Sequence, residues 1–98
     1  MVKRVIWTSQ ADRIFTKILE FYVERNGSKT FSRKLNNQVN SLISILAKQP
    51  FLGTKTEIEN VRVFIKGDYK IFYQIEKEKI VIHFVWDCRQ NPYSFKLP

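Results

Sequence analysis

Between Val61 and Pro92 the chain carries three runs rich in Val, Ile, Phe and Tyr, separated by Lys66-Gly67-Asp68 and by Glu76-Lys77-Glu78-Lys79. Such punctuation marks tight connections between neighbouring strands, so three antiparallel strands are predicted. Side chains alternate across a strand, and alternation sorts these runs into two faces. Val61, Val63 and Ile65, then Tyr69, Ile71, Tyr73 and Ile75, then Ile80, Ile82, Phe84 and Trp86 make one apolar set that must be covered. The opposite set mixes cations with apolar groups: Arg62, Phe64, Lys66, then Lys70, Phe72, Gln74, Glu76, then Val81, His83, Val85 and Asp87. Solvent exposure alone does not account for that mixture, which makes the second face the place to look for function.

Upstream the period changes. Val2 to Thr8 reads as a short strand, and Ser9-Gln10-Ala11-Asp12 has the form of a capping box that starts a helix at Gln10. Ala11, Ile14, Phe15, Ile18, Leu19 and Tyr22 recur at spacings of three and four, and Arg25-Asn26-Gly27 ends the helix. Ser28 is the expected cap of a second helix bearing Phe31, Leu35, Val39, Leu42, Ile43 and Leu46, which stops before Pro50. So short a connection makes the two helices an antiparallel hairpin. Pro50 to Asn60, with two breakers and no sustained period, reads as a loop back to the sheet.

The resulting order is β-α-α-β-β-β. It implies an α+β fold: an antiparallel sheet with the two-helix hairpin packed on one face and the first strand at an edge. A C-terminal tail with Tyr93 and Phe95 is the one segment left to fold over the other face.

With 98 residues, of which 44% are hydrophobic, the chain suffices for one domain spanning 1–98 with one core. Charge changes the picture more. Seventeen Lys and Arg against nine Asp and Glu give +8, which favours a polyanionic or acidic partner over a neutral one. The single Cys88 leaves no intrachain disulfide, and no Cys/His cluster has metal-ligand spacing, so no metal or cofactor is expected. No run approaches eighteen apolar residues and no export signal is visible, so neither membrane nor secretion is indicated and the cytoplasm is the expected compartment.

The run Gly67-Asp68-Tyr69-Lys70-Ile71-Phe72-Tyr73-Gln74-Ile75, the strand Ile80 to Trp86 and the ending Asp87-Cys88-Arg89-Gln90-Asn91-Pro92 resemble the C-terminal half of the RelE/ParE family of bacterial toxins. The element order is similar too. The resemblance implies the toxin of a type II toxin–antitoxin module, neutralised by direct binding of a cognate antitoxin protein. RelE-like members cut messenger RNA in the ribosomal decoding site, whereas ParE-like members poison DNA gyrase without hydrolytic chemistry of their own. The reading adopted from sequence is RNA cleavage on the ribosome by a metal-independent endoribonuclease, with gyrase inhibition as the alternative.

RNA cleavage requires help in deprotonating a ribose 2′-hydroxyl, cations at the scissile phosphate and an acid for the leaving oxygen. Arg62 and Arg89 are the candidate phosphate-stabilising groups, Arg89 by its match to a basic position of the family. His83 is the one imidazole, able to exchange protons near neutral pH. Tyr93 is a tail tyrosine of the kind some RelE-like members use. Lys55, Lys66, Lys70 and Phe72 are the expected nucleic-acid contacts, three charges and a stacking ring. The same basic, aromatic face would also serve a nonenzymatic nucleic-acid-binding domain, and an inert homologue kept for antitoxin binding is a third possibility.

Overall fold

The computed structural model describes residues 2–87. Two helices and five strands follow in the order β1 (Arg4–Trp7), α1 (Ser9–Asn26), α2 (Thr30–Lys48), β2 (Thr54–Lys55), β3 (Val61–Lys66), β4 (Tyr69–Ile75) and β5 (Lys79–Asp87), with a single 3₁₀ turn at Pro50–Leu52. The sheet order is β1-β5-β4-β3-β2. The meander β3-β4-β5 is antiparallel as expected, and β1 joins at an edge, parallel to β5. The return from α2 is more ordered than a loop, since Thr54 and Lys55 pair with Val63 and Arg62 to make a fifth strand. Two residues have no readable period, which is why sequence missed it.

Local chemistry sets the helix ends. Thr8, rather than Ser9, caps α1: the backbone N–H of Ala11 donates to Thr8 Oγ1 at 2.9 Å. Thr8 is still extended, its own N–H donating to Ile82 O beside β5, so the chain turns helical one residue earlier than the box implied. Gly27 takes the left-handed conformation at φ 66° and closes the helix as expected. Ser28 does not cap α2; the capping position is Lys29, with no side-chain bond. Tertiary ties replace the cap. Ser32 Oγ–H donates to Leu19 O at 2.6 Å, and the Phe31 ring lies 4.7 Å from that of Tyr22.

One core runs through the molecule. Ala11, Phe15, Ile18 and Tyr22 of α1 and Leu35, Val39, Ile43 and Leu46 of α2 meet Ile71, Tyr73, Ile80, Ile82 and Val85 of the sheet. At roughly 1.5–3 kcal/mol per large apolar side chain buried, this cluster is the main favourable term in the fold.

The phase of β4 and of the first half of β5 is as alternation predicts, but two stretches are inverted. Lys66 pairs directly with Tyr69, leaving a two-residue loop, Gly67-Asp68, with Gly67 at φ 58°. Directly paired residues share a face. Arg62, Phe64 and Lys66 therefore stand on the helix side with Tyr73, Ile71 and Tyr69, while Val61, Val63 and Ile65 stand outside. A three-residue connection would have given the opposite result, so one residue of loop length decides the face of the strand. In β5 the ladder runs Phe72↔Phe84 and then Tyr73↔Ile82, so His83 is an extra residue in a β-bulge. Beyond it the faces exchange: Val85 and Asp87 are buried on the helix side, and Phe84 and Trp86 turn outward.

Candidate functional site

The inverted strands redistribute the expected site residues. Arg62 lies on the helix side, where its Nη1 donates to Gly53 O at 2.7 Å and more weakly to Phe51 O at 3.3 Å. Its guanidinium sits 5.0 Å from the centre of the Phe51 ring. These contacts fix the turn after α2 against β3, so the placement of Arg62 on the outer face is corrected: its donors are engaged with backbone carbonyls. Lys66 is likewise on the helix side, exposed at the β3–β4 turn. Lys55 is exposed on β2, opposite Arg62. Arg89 and Tyr93 lie outside the described residues.

Tyr73 completes the peg under this turn. Its hydroxyl donates to Pro50 O at 2.6 Å and accepts from the Gly53 N–H at 2.9 Å. A Cβ on Gly53 would stand 2.5 Å from that hydroxyl, so only glycine allows the approach. Burial pushes the Tyr73 hydroxyl above the usual tyrosine range, against the smaller opposing effects of the Gly53 bond and the Arg62 charge. Asp87, expected outside, is instead fully buried and accepts a hydrogen bond from Tyr22 Oη, joining the end of β5 to α1.

On the outer face the structure brings together Phe72 and His83, as alternation predicts, and adds partners that sequence did not name. His83 Nε2–H donates to Gln74 Oε1 at 2.8 Å, because an amide oxygen can only accept. The two residues share a hollow of about 480 Å³ with Gln10, Ile58, Val61 and Phe72. The Phe72 ring meets Phe84 edge-on at 5.7 Å, and Phe84 stacks on Trp86 at 6.0 Å. The His83–Gln74 pair was latent in the alternation, which puts both outward, but the pairing of Gln74 with Val81, which makes them diagonal neighbours, is not readable from sequence.

Charge is sparse in the middle of this face. Lys70 pairs with Trp86 at one end, and Lys79 pairs with Arg4 at the other. Trp86 and Lys79 are seven residues apart along β5, which at ~3.3 Å per residue is roughly 23 Å. Among the described residues, no set of cations on the outer face converges beside His83. The arrangement offers an imidazole–amide pair in an aromatic-edged hollow, suited to contact with a partner surface and poorly suited to clamping a phosphate in its transition state. No group of His, Cys, Asp and Glu that could hold a metal ion exists among the described residues, and none of their helices is long and apolar enough to cross a membrane.

Comparison with known proteins agrees with the architecture. The family model described as ParE toxin of type II toxin-antitoxin system, parDE, matches residues 5–92. Among solved structures, the chain is similar to one from the chromosomal ParDE toxin–antitoxin system of P. aeruginosa. The TM-score is 0.72 at 17% identity, over 88% of this chain and 96% of that one. It is also similar to a chain of the toxin–antitoxin complex RelBE2 from Mycobacterium tuberculosis, with a TM-score of 0.66 at 21% identity over 89% and 99% of the two chains. No curated protein gives a significant match. At these identities the structural likeness speaks for the fold, and the family model speaks for the family.

Proposed function

The chain belongs to the ParE toxin family of type II toxin–antitoxin systems, and from that premise we propose that it arrests growth by binding and blocking DNA gyrase, with an antitoxin protein holding it inactive. The observation that carries the reading is the match of the ParE model across residues 5–92. The chemistry of the outer face supports it. A ribonuclease of this design would need cations at the scissile phosphate, yet Arg62 is bound to the carbonyls of Gly53 and Phe51, and Lys70 and Lys79 stand at opposite ends of the sheet. What the face does offer, an aromatic-edged hollow with His83 and Gln74, serves recognition without bond breaking. The lean toward messenger RNA cleavage drawn from sequence rested on cations, an imidazole and aromatic rings sharing one open face, and Arg62 and Lys66 do not stand on it.

The test is induced expression in a bacterial host, alone and together with the product of the neighbouring gene, with messenger 5′ ends mapped in the arrested cells. Arrest, rescue by the neighbour and no new 5′ ends at codons on translating ribosomes is the expected result. New ends dependent on the toxin would overturn the gyrase reading in favour of RNA cleavage, and vigorous growth with folded protein present would overturn the toxin assignment itself.

A further inference from the structure

A second feature lies on the solvent side of the helical hairpin. Residues 25–56 contain no Asp or Glu and six cations, namely Arg25, Lys29, Arg33, Lys34, Lys48 and Lys55. On α1, by contrast, Asp12, Glu20 and Glu24 are equalled in number by Arg13, Lys17 and Arg25. The uncompensated charge of the hairpin therefore stands on α2. Arg33, Asn37, Ser41, Ser44 and Lys48 follow one another at spacings of three and four, all of them exposed, on the side of the helix opposite the buried Leu35, Val39, Ile43 and Leu46. No Gly or Pro interrupts α2, so the stripe is continuous, and from Arg33 to Lys48 it runs ~22 Å. Lys34 is set apart from it, because it borders a groove that Asp68 of the β3–β4 turn also lines.

We infer that this stripe binds the sugar-phosphate backbone of duplex DNA, with Arg33 and Lys48 each at a phosphate and Asn37, Ser41 and Ser44 donating hydrogen bonds to phosphate oxygens between them. The inference goes beyond the gyrase reading and does not depend on it, since the contact is made by this chain alone. Composition selects the occupant. Phosphates of a duplex are held by Arg and Lys together with Ser, Thr, Asn and Gln, and a carboxylate among them would repel; the stripe is made of the first kinds and has none of the last. Its length also fits, because one strand of a duplex presents a phosphate every ~3.4 Å of axis, so ~22 Å of helix lies beside several. A single strand is the poorer fit. Single strands are held by bases stacking on aromatic rings, and the one ring of α2, that of Phe31, packs against Tyr22. An acidic peptide is poorer still, because between Arg33 and Lys48 the stripe offers it neither a further cation nor apolar surface.

The experiment titrates a fluorescent DNA duplex of about 20 base pairs with the wild-type chain, with Arg33→Gln/Lys48→Gln and with Arg13→Gln/Lys17→Gln, at salt from about 50 to 200 mM. The last variant removes the same charge from the exposed side of α1. Thermal melts establish that each variant is folded, and one strand of the same DNA serves as a second probe. The expected result is that the stripe variant loses at least fivefold more duplex affinity than the control at the lowest salt. Its plot of log affinity against log salt should also be shallower than that of the wild type by about 2, one for each phosphate contact removed. A smaller difference between the two variants overturns the stripe, because net charge alone would then account for binding. Absence of duplex binding by the wild type at the lowest salt overturns it as well. Tighter binding of the single strand than of the duplex overturns the choice of occupant. None of these results bears on growth arrest or on gyrase, so the toxin reading is tested separately.

Discussion

The two faces of the sheet hold similar polar residues and put them to different uses. On the helix side Arg62, Tyr73 and Asp87 are all engaged within the protein: Arg62 with the carbonyls of Phe51 and Gly53, Tyr73 with Pro50 and Gly53, Asp87 with Tyr22. On the outer face His83 and Gln74 bind each other at a bulge, beside a hollow edged by Phe72. Burial explains two of the three: Tyr73 and Asp87 are fully enclosed, where a polar group left unpaired costs about 1–3 kcal/mol, whereas Arg62 is half-buried like His83 and Gln74 and is held by the carbonyls of the turn beside it. Charge alone therefore does not make Arg62 a phosphate ligand; the carbonyls of Phe51 and Gly53 that hold its guanidinium decide.

The largest expected effect of breaking this division is Ile71→Asp, which puts a carboxylate in the core beneath the hairpin, where Ile71 is 1% exposed. It should cost several kcal/mol and leave little folded protein in a thermal melt, while Ile65→Asp, at 57% exposure on the outer side, should shift the melting temperature by no more than a few degrees. Comparable losses would mean that the register of β3 is off by one. Next comes Gly53→Ala, whose methyl group would meet the Tyr73 hydroxyl at 2.5 Å and the Val63 carbonyl at 3.0 Å. A destabilisation of roughly 1–3 kcal/mol is expected by denaturant titration.

Tyr73→Phe should cost somewhat less, about 1–2 kcal/mol, by leaving Pro50 O and the Gly53 N–H without their partner. It also carries a pH signature. Because burial raises the ionisation of Tyr73 above that of the unfolded chain, the stability it confers is complete below about pH 10 and is lost as pH climbs through the raised value. The melting temperature of the phenylalanine variant should fall less steeply above about pH 10 than that of the wild type. The smallest effect is expected for His83→Gln: a half-buried side chain is exchanged for another that can bond Gln74, so stability should move by less than about 1 kcal/mol and growth arrest should persist. Loss of arrest in that folded variant would restore a catalytic imidazole.

Much of this was legible in the chain. The apolar stripes of α1 and α2, the glycine stop at Gly27 and the alternation of β4 are local patterns, and local patterns fix elements and their buried sides. What stayed hidden depends on pairing. Nothing in VRVFIKGDY says whether the turn uses two residues or three, yet that choice sends Arg62 inward. Nothing in HFVWD marks His83 as the extra residue, yet the bulge exchanges Phe84 and Trp86 for Val85 and Asp87. The candidate site was half visible for the same reason. Phe72, Gln74 and Lys70 lie on β4 and were placed correctly on the outer face, whereas Arg62 and Lys66 lie on the strand whose phase the turn decides.

The proposed block of gyrase by binding can be read in supercoiling of relaxed plasmid by purified gyrase, titrated with the purified toxin. Supercoiling should fall as the toxin approaches equimolarity with gyrase, the neighbouring-gene antitoxin should restore it, and His83→Gln should inhibit as well as the wild type. Supercoiling that is unchanged by a large excess of folded toxin that arrests growth in cells would contradict the proposed block.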